Sequence, residues 1–317
     1  MTDDITKREN AAWEALLARL AELYGKAVRR IIKRSARLWE ALRAIESGSV
    51  KPPEIYTEEQ RGAWVQARVD MALAETGTEH HVGEELAAAG IAATAIISSA
   101  MIDSYLANRR WARSRIDDQL EAPIPWPTLT ERQVRIIIVD AQPVGEKIAY
   151  RNLGSSPTFL RRFQREMAAA TRGGESQRDL VKRIMDAMNE TGRAAYRKAE
   201  LIAQTERTRV QSQARWEADE EAISHGIRVA DIWLCQNIPP HRTSSGWSSG
   251  SRDSHRALHR EARLHGESWT TIHGHTLRYP GDPSAPASEI CRCHCALEPR
   301  VLLADEDVVD GRIVRRG

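Results

Sequence analysis

The stretch WEALLARLAELYGKAVRRII, residues 13–32, repeats apolar side chains every three or four positions and places Arg, Lys and Glu between them. This spacing is typical of an α-helix with one buried face. The same pattern covers residues 7–45 and predicts one long helix, or two helices joined near Gly25. A single helix of that length extends about 60 Å at about 1.5 Å per residue, which favours a rod or a bundle.

Helical spacing continues after breaks at residues 47–49 and 52–53. Thr57 and Gln60 resemble a capping box at the start of the next helix. Prolines at positions 123, 125 and 127 then form a linker that no helix crosses, because proline cannot donate a helical hydrogen bond. A further break is expected at Gly192. The predicted helices are residues 57–73, 82–116, 131–150, 158–171, 176–188 and 194–224.

The character of the sequence changes at Gly226. Residues 228–234 alternate as in a strand, residues 290–297 predict a second strand, and a loop rich in Gly, Ser, His and Pro lies between them. The predicted fold class is mainly α with a small C-terminal α+β module and extended helical N-terminal two-thirds. The expected domains are a long-helix region at 1–122, a central helical region at 123–226, a Cys/His module at 227–300 and a charged tail at 301–317.

The composition favours a cytoplasmic protein with a solvated surface. Of the 317 residues 28% are charged, and the formal net charge is +2. No run reaches the roughly 18 apolar residues of a membrane span, so we expect no membrane contact. The N-terminus lacks the order of a secretion signal. The four cysteines, Cys235, Cys291, Cys293 and Cys295, cluster in the last third, which in a reducing compartment indicates free thiols or a metal before disulfides.

Several motifs in the last third follow one another in a distinctive order. A helical segment, AELIAQTE at residues 199–206, ends in Thr205 and Glu206, and a strand containing Trp233 follows. Next come DSHRAL at 253–258, YPGDP at 279–283 with Pro280, Gly281 and Asp282, and CRC at 291–293. Together, over roughly a third of the chain, these elements resemble the Mu F-like family of phage head morphogenesis proteins, also called minor head proteins.

The chain departs from the family pattern at two places. His259-Arg260 stands where the family usually has an acidic-Gly pair, and the Cys motif extends to CRCHC. The family's Cys pair therefore corresponds either to Cys291 with Cys293 or to Cys293 with Cys295.

The resemblance implies a structural, non-enzymatic protein of a tailed phage, present in few copies. Such a protein associates with the portal or the inner capsid and acts in head assembly, DNA packaging or DNA delivery. The implied partners are the phage portal protein and the major capsid or scaffolding protein, with packaged DNA as a further candidate. The implied locations are the host cytoplasm during assembly and then the interior of the virion head.

The Cys and His residues of the module form a candidate structural zinc site. On an extended 290–297 strand the three cysteines share one face over about 13 Å, so one ion reaches at most two of them. His255 and His259 have the spacing of one helical face. The candidate ligands are Asp253, His255, His259, Cys291, Cys293 and Cys295, with Cys235 and His241 as further donors.

Two other interpretations of the same residues stay open. In the first, the thiols pack as small apolar side chains, and His255 is hydrogen-bonded to Asp253 or to a loop carbonyl. In the second, Cys293, His255 and Asp253 serve a hydrolase or toxin, although no nucleophile signature is present and no catalytic residue is assigned. In every case we expect the module to be stabilised by Trp233, Asp253, His255, Arg292 and Cys293.

Two basic stripes are candidates for contact with packaged DNA or with an acidic portal surface. The alternative is that they are ordinary solvated helix faces, balanced by nearby Glu. The candidate residues are Arg29, Arg30, Lys33 and Arg34 in the first stripe and Arg197, Lys198, Arg207 and Arg209 in the second, which also includes Arg215.

Overall fold

The computed structural model describes residues 2–34, 40, 44, 52–140, 177–235, 255–291 and 293–316. Within these residues the chain is mainly helical, and its strands form small antiparallel sheets in the C-terminal part. The predicted fold class, mainly α with a small C-terminal α+β module, is therefore confirmed.

Long helices make up most of the described chain. Helix α1 runs through Gly25 without a break, so the first of the two predicted arrangements is correct as far as Arg34; most of residues 35–45 lie outside the described residues. Thr57 and Gln60 form the predicted capping box before α2. The helices are α1 (Thr2–Arg34), α2 (Glu58–Thr76), α3 (Thr78–Asp117), α4 (Glu131–Arg135), which continues into one π-helical turn (Ile136–Asp140), and α5 (Gln177–Ser224).

The predicted break at Gly192 is wrong, because α5 is one continuous helix of 48 residues. A Cβ placed on Gly192 would lie 2.2 Å from the Val28 side chain of α1. The glycine therefore permits close helix packing instead of ending the helix. The predicted helix at 158–171, and residues 141–150 of the helix predicted at 131–150, lie outside the described residues.

The strands form one three-stranded sheet and two hairpins. The sheet has the order β2-β1-β5, and all its strands are antiparallel. Strand β3 pairs with β4, and β6 pairs with β7. The strands are β1 (Val229–Cys235), β2 (Ala262–Leu264), β3 (Trp269–Thr270), β4 (Thr276–Leu277), β5 (Cys295–Val301), β6 (Glu306–Val309) and β7 (Arg312–Arg315).

Two predictions near the C-terminus are wrong in part. The strand expected at 290–297 is present only from Cys295, where β5 begins, and it follows a short helix, α6 (Ala287–Ile290), and a turn. The expected tail contains the β6–β7 hairpin, because Asp310 and Gly311 both have positive φ angles, 49° and 73°, as a two-residue type I′ turn requires.

The contacts divide the chain into two compact units. One comprises Met1–Trp13, Ile97–Pro143 and Leu201–Gly317, and the other comprises Glu14–Ile96 and Val144–Glu200. The four consecutive domains stay a prediction. In the second unit, α1 contributes buried Leu20, Tyr24 and Ile31, and α3 contributes Val82 and Leu86.

One helical segment, His80–Asp117, is long and apolar enough by length and composition to cross a membrane. Half of its most apolar window is buried inside the fold, and core helices of soluble proteins pass the same test. The absence of membrane contact therefore stays a prediction.

Candidate functional site

The pairing of β1 with β5 builds the floor of the site. Trp233 lies opposite Leu297, and Cys235 lies opposite Cys295. Because alternate strand residues share a face, Trp233 and Cys235 lie on the same side of β1. The indole of Trp233 is fully buried and lies with its centroid 5.2 Å from that of Trp269.

His255 lies at the centre of the cysteine cluster. Its Nδ1 atom is 3.5 Å from Sγ of Cys293 and 3.7 Å from Sγ of Cys295. All three donor atoms lie within 4.8 Å of one another, and all three side chains are buried. The centroid of the Trp233 ring lies 5.3 Å from that of the His255 ring, and the two rings meet edge-on, so apolar surface covers one side of the cluster.

A buried carboxylate lies on the opposite side of His255. Oε2 of Glu289 is 3.1 Å from Nε2 of His255. The other carboxylate oxygen accepts a hydrogen bond from Oγ1 of Thr271 at 3.2 Å and lies 2.9 Å from Nδ1 of His275. These contacts hold Glu289 in place, so the His255 ring is oriented with one nitrogen toward sulfur and the other toward the carboxylate.

The electrostatics of the cluster favour thiolate most strongly at Cys293. A hydrogen bond from Cys295 and the nearby His255 lower the pKa of the Cys293 thiol below its usual value, despite burial. Hydrogen bonds with Cys235 and Cys293, together with burial, raise the pKa of Cys295. Burial alone would lower the pKa of His255, but the hydrogen bond and charge of Cys293 and the charge of Glu289 raise it. The hydrogen bond with Cys295 lowers the pKa of Cys235 to about 7.

The structure brings together only part of the predicted ligand set. His255, Cys293 and Cys295 converge, whereas Cys291 lies outside the group, at the C-terminal end of α6. Nδ1 of His259 instead accepts a hydrogen bond from the backbone N–H of Cys235 at 3.1 Å. Asp253 and His241 lie outside the described residues.

The expected line of three sulfurs over about 13 Å is wrong, because residues 290–297 do not form one strand. Cys293 lies on the turn before β5, where its N–H donates to the Ile290 carbonyl at 3.2 Å. The turn lets the sulfurs of Cys293 and Cys295 approach the same imidazole nitrogen. Of the residues expected to stabilise the module, Trp233, His255 and Cys293 are in its buried centre, while Asp253 and Arg292 lie outside the described residues.

Residues of α5 that directly follow the motif at 199–206 lie against the segment around Gly281. A Cβ on Gly281 would lie 3.0 Å from the backbone of Arg209, so the glycine allows this segment to touch the helix. Oγ1 of Thr208 donates to the Cys293 carbonyl, which ties the cysteine turn to α5. Thr205 donates within the helix to the Leu201 carbonyl at 2.9 Å.

Glu206 and Asp282 are buried carboxylates that bind arginines of the same fold. Glu206 accepts from Nε of Arg209 at 2.7 Å, and the same guanidinium donates to the Ile138 carbonyl at 3.0 Å. Asp282 accepts from the backbone N–H of Arg278 at 3.0 Å and from its Nε at 2.9 Å. Pro280, two residues before Asp282 in the sequence, is also buried.

Two residues of the second basic stripe are not available for a partner. Arg209 and Arg215 are only 4% and 8% exposed, so the prediction that they contact DNA or a portal is wrong. Arg215 donates to Oδ1 of Asn108 at 2.7 Å and to the Leu297 carbonyl at 2.8 Å. Burial lowers the pKa of Arg215 to about 10. The periodicity did not reveal this, because both arginines lie in a helix that is buried along much of its length.

The remaining basic candidates differ in their surroundings. Arg207 donates to Oδ1 of Asn10 at 3.2 Å and lies over the Trp13 ring. Arg30 and Arg34 bind the carboxylates of Glu85 and Glu84 at 2.6 and 3.1 Å. Exposed residues that still present charge to solvent are Arg29, Lys33 and Arg197, and Lys198 is half-buried.

Sequence reasoning missed a second buried polar group, formed by Asp219, Asp231 and His265. Their donor atoms lie within 4.8 Å of one another, and Nδ1 of His265 is 2.8 Å from Oδ2 of Asp231. Burial, and then the charge of Asp231, raise the pKa of Asp219 well above its usual value. Asp231 could have been found from the strand alternation, because it shares a face with Trp233.

The Cys–His cluster can do one of two kinds of chemistry. Thiolates and an imidazole that converge within a buried space suit a tetrahedral metal ion. A thiolate beside an imidazole that a carboxylate orients also has the form of a nucleophile, a base and an orienting group.

Comparison with known proteins adds no relative, since no family model, curated protein or solved structure matches this chain.

Proposed function

We propose that this chain is a structural minor head protein of a tailed phage, associated with the portal or the inner capsid. In this role it acts in head assembly, DNA packaging or DNA delivery. The observation that carries the proposal is the convergence of the resembling motifs. The helix bearing Thr205 and Glu206, the Trp233 strand, the Gly281 segment and the cysteine turn meet in one module although they are far apart in sequence.

The contacts of the motif residues support a structural role. Glu206 is 3% exposed and Asp282 is fully buried, and each binds an arginine of the same fold. Gly281 provides a close backbone approach to α5. Residues used in this way keep a module in shape and attached to its helix, and they present no reactive group to a substrate.

The proposed partners are the portal protein and the major capsid or scaffolding protein, with packaged DNA as a further partner. The exposed Arg29 and Lys33 on α1 and Arg197 on α5 supply positive charge for such contacts. An acidic portal surface or a DNA backbone would attract them in a salt-dependent manner. The proposed locations are the host cytoplasm during assembly and the head interior afterwards.

A second candidate function, a Cys/His-based hydrolase or toxin, is favoured by one observation. Cys293, His255 and Glu289 lie in a row, at 3.5 Å and 3.1 Å. Against it, Cys293 is only 6% exposed, and the sulfur of Cys295 lies 3.7 Å from the same imidazole nitrogen. A nucleophile needs access to its substrate, whereas a buried group of sulfurs suits a structural role.

The deciding experiment is deletion of the gene from the phage that encodes it, with complementation by plasmid-borne variants. We expect deletion to yield defective or empty heads, and we expect to find the wild-type chain in purified heads. When both chains are expressed at a permissive temperature, Cys293→Ala should affect host growth in the same way as the wild type. Normal infectious heads that lack the chain would overturn the proposal. Host toxicity that depends on the Cys293 thiol would establish the second candidate instead.

A further inference from the structure

We propose that the full chain binds one zinc ion through His255, Cys293 and Cys295, with Cys235 as the fourth ligand. The site is independent of the role in the phage head, because it follows from the arrangement of donors alone. Its chemistry is that of a closed site with three sulfur ligands and one nitrogen ligand, which in proteins serves stability and not catalysis.

The donor separations match those that a tetrahedral zinc ion imposes. Bond lengths of about 2.3 Å to sulfur and about 2.0 to 2.1 Å to nitrogen, at a tetrahedral angle, place sulfur about 3.6 Å from nitrogen. The two separations from Nδ1 of His255 are 3.5 Å to Cys293 and 3.7 Å to Cys295. Both sulfurs therefore lie where one ion can bind them and the imidazole together.

Cys235 lies outside the group of three donors that converge within 4.8 Å, and its pairing with Cys295 makes it the fourth ligand. It is paired with Cys295 across the β1–β5 ladder, and directly opposite side chains have Cβ atoms about 4.5 to 5.5 Å apart. It also packs against the core cluster that contains Cys293 and Cys295. Cys291 is the remaining cysteine, and it lies at the end of α6, whereas Cys235 lies opposite Cys295 on the β1–β5 ladder.

The surroundings of His255 fit a metal ligand. A histidine that binds zinc through one nitrogen usually gives its other N–H to a carboxylate, which sets the tautomer and the ring orientation. Here Nδ1 faces the sulfurs, and Nε2 lies 3.1 Å from Oε2 of Glu289, which is an ion-pair distance without the alignment of a hydrogen bond. Glu289 is itself 1% exposed and is held by Thr271, so its charge is directed at the ring.

An ion at this place would add a cross-link between three segments that backbone hydrogen bonds already join in part. Cys235 ends β1, His255 lies before the turn that leads to β2, Cys293 lies just before β5, and Cys295 is the first residue of β5. Zinc bound to a folded site adds its binding free energy to the free energy of folding. We therefore expect removal of the ion to loosen this module while the long helices keep their structure.

The first test is zinc content and cobalt substitution of the purified full-length chain. We expect one zinc per chain by elemental analysis, and thiolate-to-cobalt charge-transfer bands when cobalt replaces zinc. The oxygen and nitrogen donors of Asp219, Asp231 and His265 cannot give those bands. His255→Ala, Cys293→Ser and Cys295→Ser should each lower zinc content at least tenfold, whereas the matched control Cys291→Ser should keep one equivalent.

A second test needs no variant and therefore does not depend on whether the variants fold. X-ray absorption of the wild-type zinc form should show three sulfur ligands and one nitrogen ligand. Fewer than three sulfurs would overturn the ligand set. Three other results would each overturn the site. The first is failure of the zinc-supplemented chain to retain zinc, and the second is equal zinc loss in Cys291→Ser and Cys293→Ser. The third is a disulfide among these cysteines in freshly purified protein.

Discussion

A side chain at Gly281 has no room against Arg209: its Cβ would lie 3.0 Å from both the backbone nitrogen and the Cα of that residue. The φ angle of Gly281 is 79°, in the left-handed region that favours glycine. Two independent constraints therefore act on the position at which the module touches α5.

Gly281→Ala should destabilise the module by about 3 kcal/mol or more, since the left-handed conformation alone costs about 1 to 2 kcal/mol and the contact with α5 must also open. Gly274 provides a matched control, because it has the same φ of 79° and no atom within 4 Å of a built Cβ. Gly274→Ala should therefore show only the conformational cost. Urea unfolding of the full chain measures both, and equal losses would show that the contact with Arg209 contributes nothing.

Asp282→Asn should make the module less stable at neutral pH and should flatten its response to acid. Burial opposes the charge on Asp282, but the hydrogen bonds from Arg278 and Ser284 prevail and lower its pKa to about 2. Because the folded pKa lies below the unfolded value of about 3.9, the stabilisation is complete above about pH 5 and is lost as the pH falls toward 2.

The expected loss for Asp282→Asn at pH 7 is about 1 to 2 kcal/mol, because Arg278 is itself partly exposed to water and its contribution is screened. Asp118→Asn, at an exposed carboxylate after α3, is the control and should leave stability within about 0.5 kcal/mol. Unfolding curves at pH 3 and pH 7 make the comparison. A variant as stable as the wild type at pH 7 would contradict the assignment.

Helical periodicity was sufficient to predict most of the described helices, but it could not predict how they pack. Gly192 has the same sequence signal as a helix break, yet its missing side chain makes room for Val28 on another helix. Such a contact depends on residues more than 160 positions away, which local spacing does not contain. Arg209 was misread for the same reason, because a charged residue on a helix face is normally solvated.

The cysteine site was predicted in composition but not in arrangement. Its geometry depends on where β5 begins, and the short helix α6, with Pro286 at its N-cap, precedes that strand. It also depends on the pairing of Cys235 with Cys295, across 60 positions of sequence. Strand register over that distance follows from tertiary packing, so a single sequence leaves it open.

The exposed face of α1 allows surface charge to be separated from stability. Arg29→Ala with Lys33→Ala should change the free energy of unfolding by less than about 0.5 kcal/mol, since both side chains are exposed. Arg30→Ala should cost about 1 kcal/mol, because among the described residues it leaves the buried carboxylate of Glu85 paired with Arg34 alone, at 3.3 Å.

If the exposed charges of α1 bind a portal or DNA, the Arg29→Ala, Lys33→Ala double variant should lower the yield of filled heads while its melting temperature stays unchanged. Arg30→Ala serves as the opposite control, with a lowered melting temperature. Normal head yield from the double variant would remove this face from the interaction surface.

Asp219→Asn should leave the protein at least as stable as the wild type at pH 7, although it alters a fully buried residue. Burial and the charge of Asp231 raise the pKa of Asp219, so the folded state holds a proton that the unfolded state releases above about pH 4. Wild-type stability therefore falls as the pH rises from about 4 toward the folded pKa, and the neutral amide removes that fall.

The groups facing Asp219 are Asp231, His265 and Arg215, so the effect is a balance of their charges and is best measured as the difference between variant and wild type. Urea unfolding at pH 4.5 and pH 7 should show this difference increasing with pH, and Asp103→Asn, at an exposed site on α3, should show none. If the variant is less stable than the wild type at pH 7 and a chelator destabilises the wild type to the same extent, Asp219, Asp231 and His265 hold a cation instead of a proton on Asp219.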